Sequence, residues 1–298
     1  MESIFEGSAV ALVLPMHTDG SIDYEGFKRQ VQRMIDGGVA ALLVNGTTGE
    51  TATITIEEEF ELTRITMDMA KGTGIKVIAG AGSNDTMTAL KKAEFAKEVG
   101  ADAILVVTPY YNKTSQRGLI EHFTYIADRV EIPMIIYNVP GRTGMNINVD
   151  TVVELAAHKN IVAMKDATDN IAYAMDVLSR TANMDFDMYS GCDDNILPFI
   201  AAGGKGVISV LSNVYPRETE MLAQAVLKGN LSLAREMAYD LNDLCKYLFI
   251  DVNPIMPKAA LNKMGICSEM VRRPLIPTTE SNKKLLFDAM EAFEKKGY

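Results

Sequence analysis

Lys165, which directly follows the apolar run Ile161-Val162-Ala163-Met164, is the side chain best placed for covalent chemistry. Alternate side chains of a strand share a face, so Lys165 falls with Ile161 and Ala163 on the inward side. Burial disfavours an ammonium and lowers its pKa toward the range in which the neutral amine attacks a carbonyl. That is the chemistry of an imine-forming enzyme. A structural ion pair with Glu50 or another carboxylate is the plainer account of the same lysine.

Tyr137 ends the preceding apolar run, Met134 to Tyr137. If the two runs are neighbouring strands, Tyr137 and Lys165 lie on strands about 5 Å apart at matching heights, which sets the phenol beside the amine. There it can relay the protons that making and breaking a carbinolamine require, tuned by hydroxyls such as Thr47. A core tyrosine with a satisfied hydroxyl is the alternative. Arg142 lies in the loop Asn138 to Gly144, where Pro140 and Gly141 fix a turn and a guanidinium can hold a carboxylate in a bidentate pair. Gly46-Thr47-Thr48-Gly49-Glu50 offers backbone amides with little steric cover, as an anion-binding nest does, or a plain turn. Together these residues describe a site for an anionic carbonyl compound.

The elements that must position them form a repeating series. Short runs rich in Val, Ile and Leu recur roughly every 25 to 35 residues, each followed by helical periodicity, as in repeated βα units. Strands are expected at Ala9 to Leu14, Val39 to Val44, Lys76 to Ala79, Ala103 to Val107, Met134 to Tyr137, Ile161 to Met164, Phe186 to Tyr189 and Gly206 to Val210. About eight parallel strands make a (β/α)₈ TIM barrel, whose chemistry sits at the C-terminal ends of the strands. Ile56 to Ala70 and Thr86 to Val99 are amphipathic helices between strands, and Gly37, Gly72 and Gly100 are expected helix stops. An open doubly wound sheet is disfavoured because GAGSND, at Gly80 to Asp85, lacks the third glycine of a dinucleotide fingerprint. The barrel with its active site is assigned to residues 1–220, and a helical C-terminal extension packed on it, without a separate linker, to 221–298.

At 298 residues and 48% hydrophobic the chain can bury one substantial core. A net charge of -10 without clustered Lys and Arg argues against nucleic acid. The start of the chain lacks a basic region ahead of an apolar run, and no stretch approaches a membrane span, so neither a signal peptide nor a membrane is expected. Cys192, Cys245 and Cys267 are far apart and suit free thiols in the cytoplasm. His17, His122 and His158 lack the spacing of a zinc site, and no metal is expected.

The motifs GTTGE at Gly46 to Glu50, YYN at Tyr110 to Asn112, YNVPGRTG at Tyr137 to Gly144 and KDAT at Lys165 to Thr168 are together highly specific. With SGCDD at Ser190 to Asp194, GVISV at Gly206 to Val210 and NP at Asn253 to Pro254, the chain resembles the dihydrodipicolinate synthase family over nearly its whole length. The resemblance implies a Schiff base between Lys165 and pyruvate and a proton relay of Thr47, Tyr137 and Tyr111. It implies that Thr48 binds the pyruvate carboxylate, that Ile208 and Gly191 line its pocket, that Arg142 receives the carboxylate of L-aspartate 4-semialdehyde, and that Asn253 is a substrate-binding residue. It further implies that Tyr111 enters a neighbouring subunit's site within a homotetramer, and that no cofactor beyond the covalent imine is needed.

Departures from the family pattern are Leu14 where a threonine is common, Cys192 where an aspartate is frequent and Thr114 where a proline is frequent. None removes a relay residue. Ile56, Glu59 and Thr88 align with the lysine feedback site of sensitive members, which uses histidine and glutamate, so weak or absent lysine inhibition is expected. Two other readings share features with this one. N-acetylneuraminate lyases and keto-deoxy sugar acid aldolases share the lysine and tyrosine but generally lack the loop arginine. A non-catalytic barrel that binds a keto acid has no need of the full relay.

Overall fold

The computed structural model describes residues 2–297. Eight strands, β1 (Gly7–Ala11), β2 (Ala41–Val44), β3 (Lys76–Gly80), β4 (Ala103–Val107), β5 (Met134–Asn138), β6 (Ile161–Asp166), β7 (Asp187–Ser190) and β8 (Gly206–Ser209), pair in parallel in chain order. β8 pairs with β1 and closes the barrel. The expected (β/α)₈ class is therefore the observed one, with strand ends shifted by a few residues. Leu12 to Leu14 stay buried beyond β1, and Leu12 N still donates to Leu43 O at 3.0 Å.

Helix boundaries follow local chemistry. Thr55 and Glu58 form a reciprocal capping box at the start of Ile56–Ala70, and Asp85 caps Thr86–Glu98. Gly72 and Gly100 take the left-handed backbone expected of helix stops, with φ of 78° and 82°. Gly37 does not: its φ is -73°, and the next residue, Gly38, makes the left-handed turn instead.

β6 carries the main departure from simple alternation. Met134 of β5 pairs with Ile161, but Ile135 pairs with Ala163, so Val162 is an extra residue in the ladder. The bulge turns Ile161 outward, into the core shared with the helices, while Ala163 remains in the barrel interior. The expectation that Ile161 shares the face of Lys165 thus fails one residue below the bulge and holds above it.

After β8, helix Pro216–Leu227 packs on β1 and β8, and it runs through residue 220. Helices Leu231–Tyr247, Ile255–Lys263 and Glu280–Glu294 follow. Their apolar faces join Val207 and Ile196 in one continuous core, which fixes the extension against the barrel. Among the described residues no helix is long and apolar enough to cross a membrane.

Candidate active site

A cavity of about 510 Å³ opens at the C-terminal ends of the strands. Lys165 and Tyr137 are direct register partners on β6 and β5, and the Lys165 Nζ lies 4.4 Å from the centroid of the Tyr137 ring. Both side chains line the cavity, and Lys165 is only 6% exposed. The ion pair considered for Lys165 is not formed with Glu50, whose carboxylate binds Lys258 of helix Ile255–Lys263 instead.

Burial therefore acts on Lys165 largely unopposed. It pushes the amine down to about 8, with Asp193 working against it and Arg142 adding to it. At neutral pH roughly a tenth of the amine is then neutral. Burial also pushes the Tyr137 phenol up to about 12, so it rests protonated and passes a proton on only as it receives another. Cys192, beside them, is pushed up to about 12 by burial and stays a thiol.

The loop after β2 supplies the opposite wall. Thr47–Gly49 form a single tight turn in which the Gly49 and Glu50 amides bond Gly46 and Thr47 carbonyls, at 3.0 Å each. The first amides of such a turn have no partner within it, and they belong to Thr47 and Thr48, both on the cavity wall. The nest expected across Gly46 to Glu50 is thus narrowed to these two residues. Thr48 Oγ1 accepts from Asn253 Nδ2 at 3.0 Å, and Asn253 O accepts from the Arg142 guanidinium at 3.4 Å.

Arg142 sits on the short helical turn Pro140–Thr143, entered by proline at its first position and stopped by Gly144 at φ 66°. Its exposed side chain faces the cavity and has no carboxylate partner among the described residues. Gly191 closes the floor beside Lys165, its amide donating to Asp166 O at 2.7 Å.

Two expected residues stand elsewhere. Ile208 is fully buried within the barrel interior, and Val210, two positions further along the chain, lines the cavity. Tyr111 takes a left-handed backbone, φ 68°, and is 93% exposed, outside the cavity of its own chain; Tyr110 lines that cavity. Pro274 and Leu275 of the extension also reach the site, as does Lys92, which pairs with the buried Glu59 at 2.7 Å. No motif marks Pro274 and Leu275 in the sequence, because their place depends on how the extension folds back over the barrel mouth.

The model of the dihydrodipicolinate synthetase family matches residues 4–293. The chain belongs to that family. The 4-hydroxy-tetrahydrodipicolinate synthase of Geobacter sulfurreducens is 43% identical over 291 residues, which cover 98% of this chain and 99% of the relative. The crystal structure of dihydrodipicolinate synthase from Aquifex aeolicus is 45% identical, with a TM-score of 0.94 over 97% of this chain and 98% of that one. The family member from Cyanidioschyzon merolae, solved with lysine bound, is 38% identical, with a TM-score of 0.95 over 98% of this chain and 99% of that one. These relatives favour a synthase over a sugar acid aldolase or a non-catalytic barrel.

Proposed function

We propose that the protein is a 4-hydroxy-tetrahydrodipicolinate synthase that joins pyruvate to L-aspartate 4-semialdehyde in lysine and diaminopimelate biosynthesis. The observation that carries this reading is the buried amine of Lys165, held against Tyr137 at the cavity floor with its pKa lowered to about 8. The neutral amine adds to the pyruvate carbonyl, and loss of water from the carbinolamine leaves an imine. The cationic imine acidifies the pyruvate methyl, which loses a proton to give an enamine. The enamine carbon attacks the semialdehyde carbonyl, a carbon–carbon bond forms and the alkoxide takes up a proton. The substrate's own amine then attacks the imine carbon, the ring closes and Lys165 is released.

Tyr137 and Thr47 pass the protons of these steps, and Tyr111 completes the relay from a neighbouring subunit. The 93% exposure of Tyr111 on a left-handed backbone supports this, since a strained residue projecting into solvent suits a role in trans. A homotetramer in the cytoplasm is the corresponding assembly. Thr48 and its adjacent amides take the pyruvate carboxylate, with Gly191 and Val210 on the wall of the pocket. Arg142, without a carboxylate partner among the described residues, receives that of the semialdehyde beside Asn253. The covalent imine is itself the electron sink, so the reaction calls for no metal or organic cofactor.

The test is turnover of pyruvate plus semialdehyde, coupled to dihydrodipicolinate reductase and followed as NADPH loss. Wild type should turn over and Lys165→Ala should be folded and inactive. Wild-type inactivity beside a working control enzyme would refute the reading.

A further inference from the structure

Lys258 and Glu50 form an ion pair that none of these steps uses, with side chains 0% and 1% exposed. Glu50 closes the Thr47–Gly49 turn with a left-handed backbone, φ 53°. One of its carboxylate oxygens accepts from Lys258 and the other from the Arg272 amide, at 2.8 Å. Lys258 donates as well to Met270 O at 2.5 Å. The Arg272 guanidinium continues to Glu58, at 2.7 and 2.8 Å, in the first turn of helix Ile56–Ala70. The segment that carries Lys258 also carries Asn253, which holds Thr48 at 3.0 Å. The C-terminal extension therefore grips the turn at two points, Thr48 and Glu50.

A buried ion pair is a poor source of stability, because desolvating both charges offsets much of their attraction and apolar side chains of similar volume do as well. It does impose geometry. A carboxylate with two fixed donors and an ammonium with two fixed acceptors hold one arrangement of the backbone between them, here including a left-handed residue that needs such support.

We propose that the Glu50–Lys258 pair is a positioning device for the pyruvate step, holding the Thr47–Gly49 turn at the height where Thr47 and Thr48 meet a substrate bound on Lys165. Glu50 borders the cavity, but its side chain is buried in the ion pair, and Lys258 lies off the cavity wall. The inference rests on the synthase reading of the cavity, and within that reading it gives the helical extension a role in catalysis.

The test compares Lys258→Met, which strands the Glu50 carboxylate, with the double variant Glu50→Gln/Lys258→Met. The double variant removes both charges, while the oxygen of the new side-chain amide still accepts from the Arg272 backbone. Thermal unfolding, KM for pyruvate, kcat and the rate of borohydride-trapped imine formation are read for each. The double variant is expected to recover most of the thermal stability lost in the single variant. Its KM for pyruvate should stay about tenfold or more above wild type, since sub-ångström misplacement of binding groups costs rate and affinity without unfolding the protein. Recovery of KM together with stability would overturn the proposal and make the pair structural only. A folded Lys258→Met with wild-type KM would overturn it too, as would a double variant unable to fold. Should wild type fail to use the semialdehyde, the synthase reading falls, yet the trapped imine still reports whether the pair positions the pyruvate site.

Discussion

Gly191→Ala tests the floor of the site with a single methyl group. A Cβ built at Gly191 would lie 2.8 Å from the Ala167 Cβ, 3.1 Å from the Lys165 Cε and 3.1 Å from the Asp166 carbonyl oxygen. The backbone there is not left-handed, so the substitution is opposed by space alone. Unstrained carbon contacts need about 3.5 to 4.0 Å, so the Lys165 Cε must retreat by roughly 0.4 Å and Ala167 by more. Gly191 cannot back away, because its amide is bonded to Asp166 O at 2.7 Å. Overpacking of this kind costs about 1–3 kcal/mol. For a chain of this size that lowers Tm by roughly 2–6 °C. The displaced amine matters more. With a misplacement of about 1 Å costing roughly a hundredfold, a shift of roughly 0.4 Å should slow imine formation about sixfold. The assay is pyruvate incorporation into the protein, trapped with borohydride at successive times and read by mass spectrometry beside a thermal melt. A variant with lowered Tm and a wild-type trapping rate would show that Lys165 is not held against Gly191, and the reasoning about the floor would fail.

The kcat/KM for pyruvate should rise with pH through about 8, because the proposed nucleophile, the neutral amine, accumulates above the lowered Lys165 pKa; a limb near the ordinary lysine value would contradict this. Arg142→Ala should still trap pyruvate but lose about 10- to 150-fold in kcat/KM for the semialdehyde, the worth of one charged hydrogen-bonded contact of about 1.5–3 kcal/mol. Equal loss of both steps would mean its role is misassigned. Lysine should inhibit weakly or not at all, since Glu59, which the family resemblance sets at the feedback site, is already paired with Lys92 at 2.7 Å; half-inhibition at submillimolar lysine would refute this.

Periodicity and composition determined the barrel, because strand and helix periods are local properties written into every βα unit. Lys165 and Tyr137 were legible for the same reason, each standing at the end of an apolar run, with Arg142 in the loop beyond the second, and in a parallel barrel all such ends point one way. Contacts between distant parts of the chain were not legible. The bulge at Val162 is a matter of pairing with β5 and leaves no mark in the order of residues. Glu50 could equally have answered Lys165 or Lys258, both of them far away in sequence; only the packing of the extension selected Lys258. Thr48, Asn253 and Arg142 likewise come from three separate segments, and their hydrogen bonds exist because closure of the barrel and docking of the extension bring those segments to one rim.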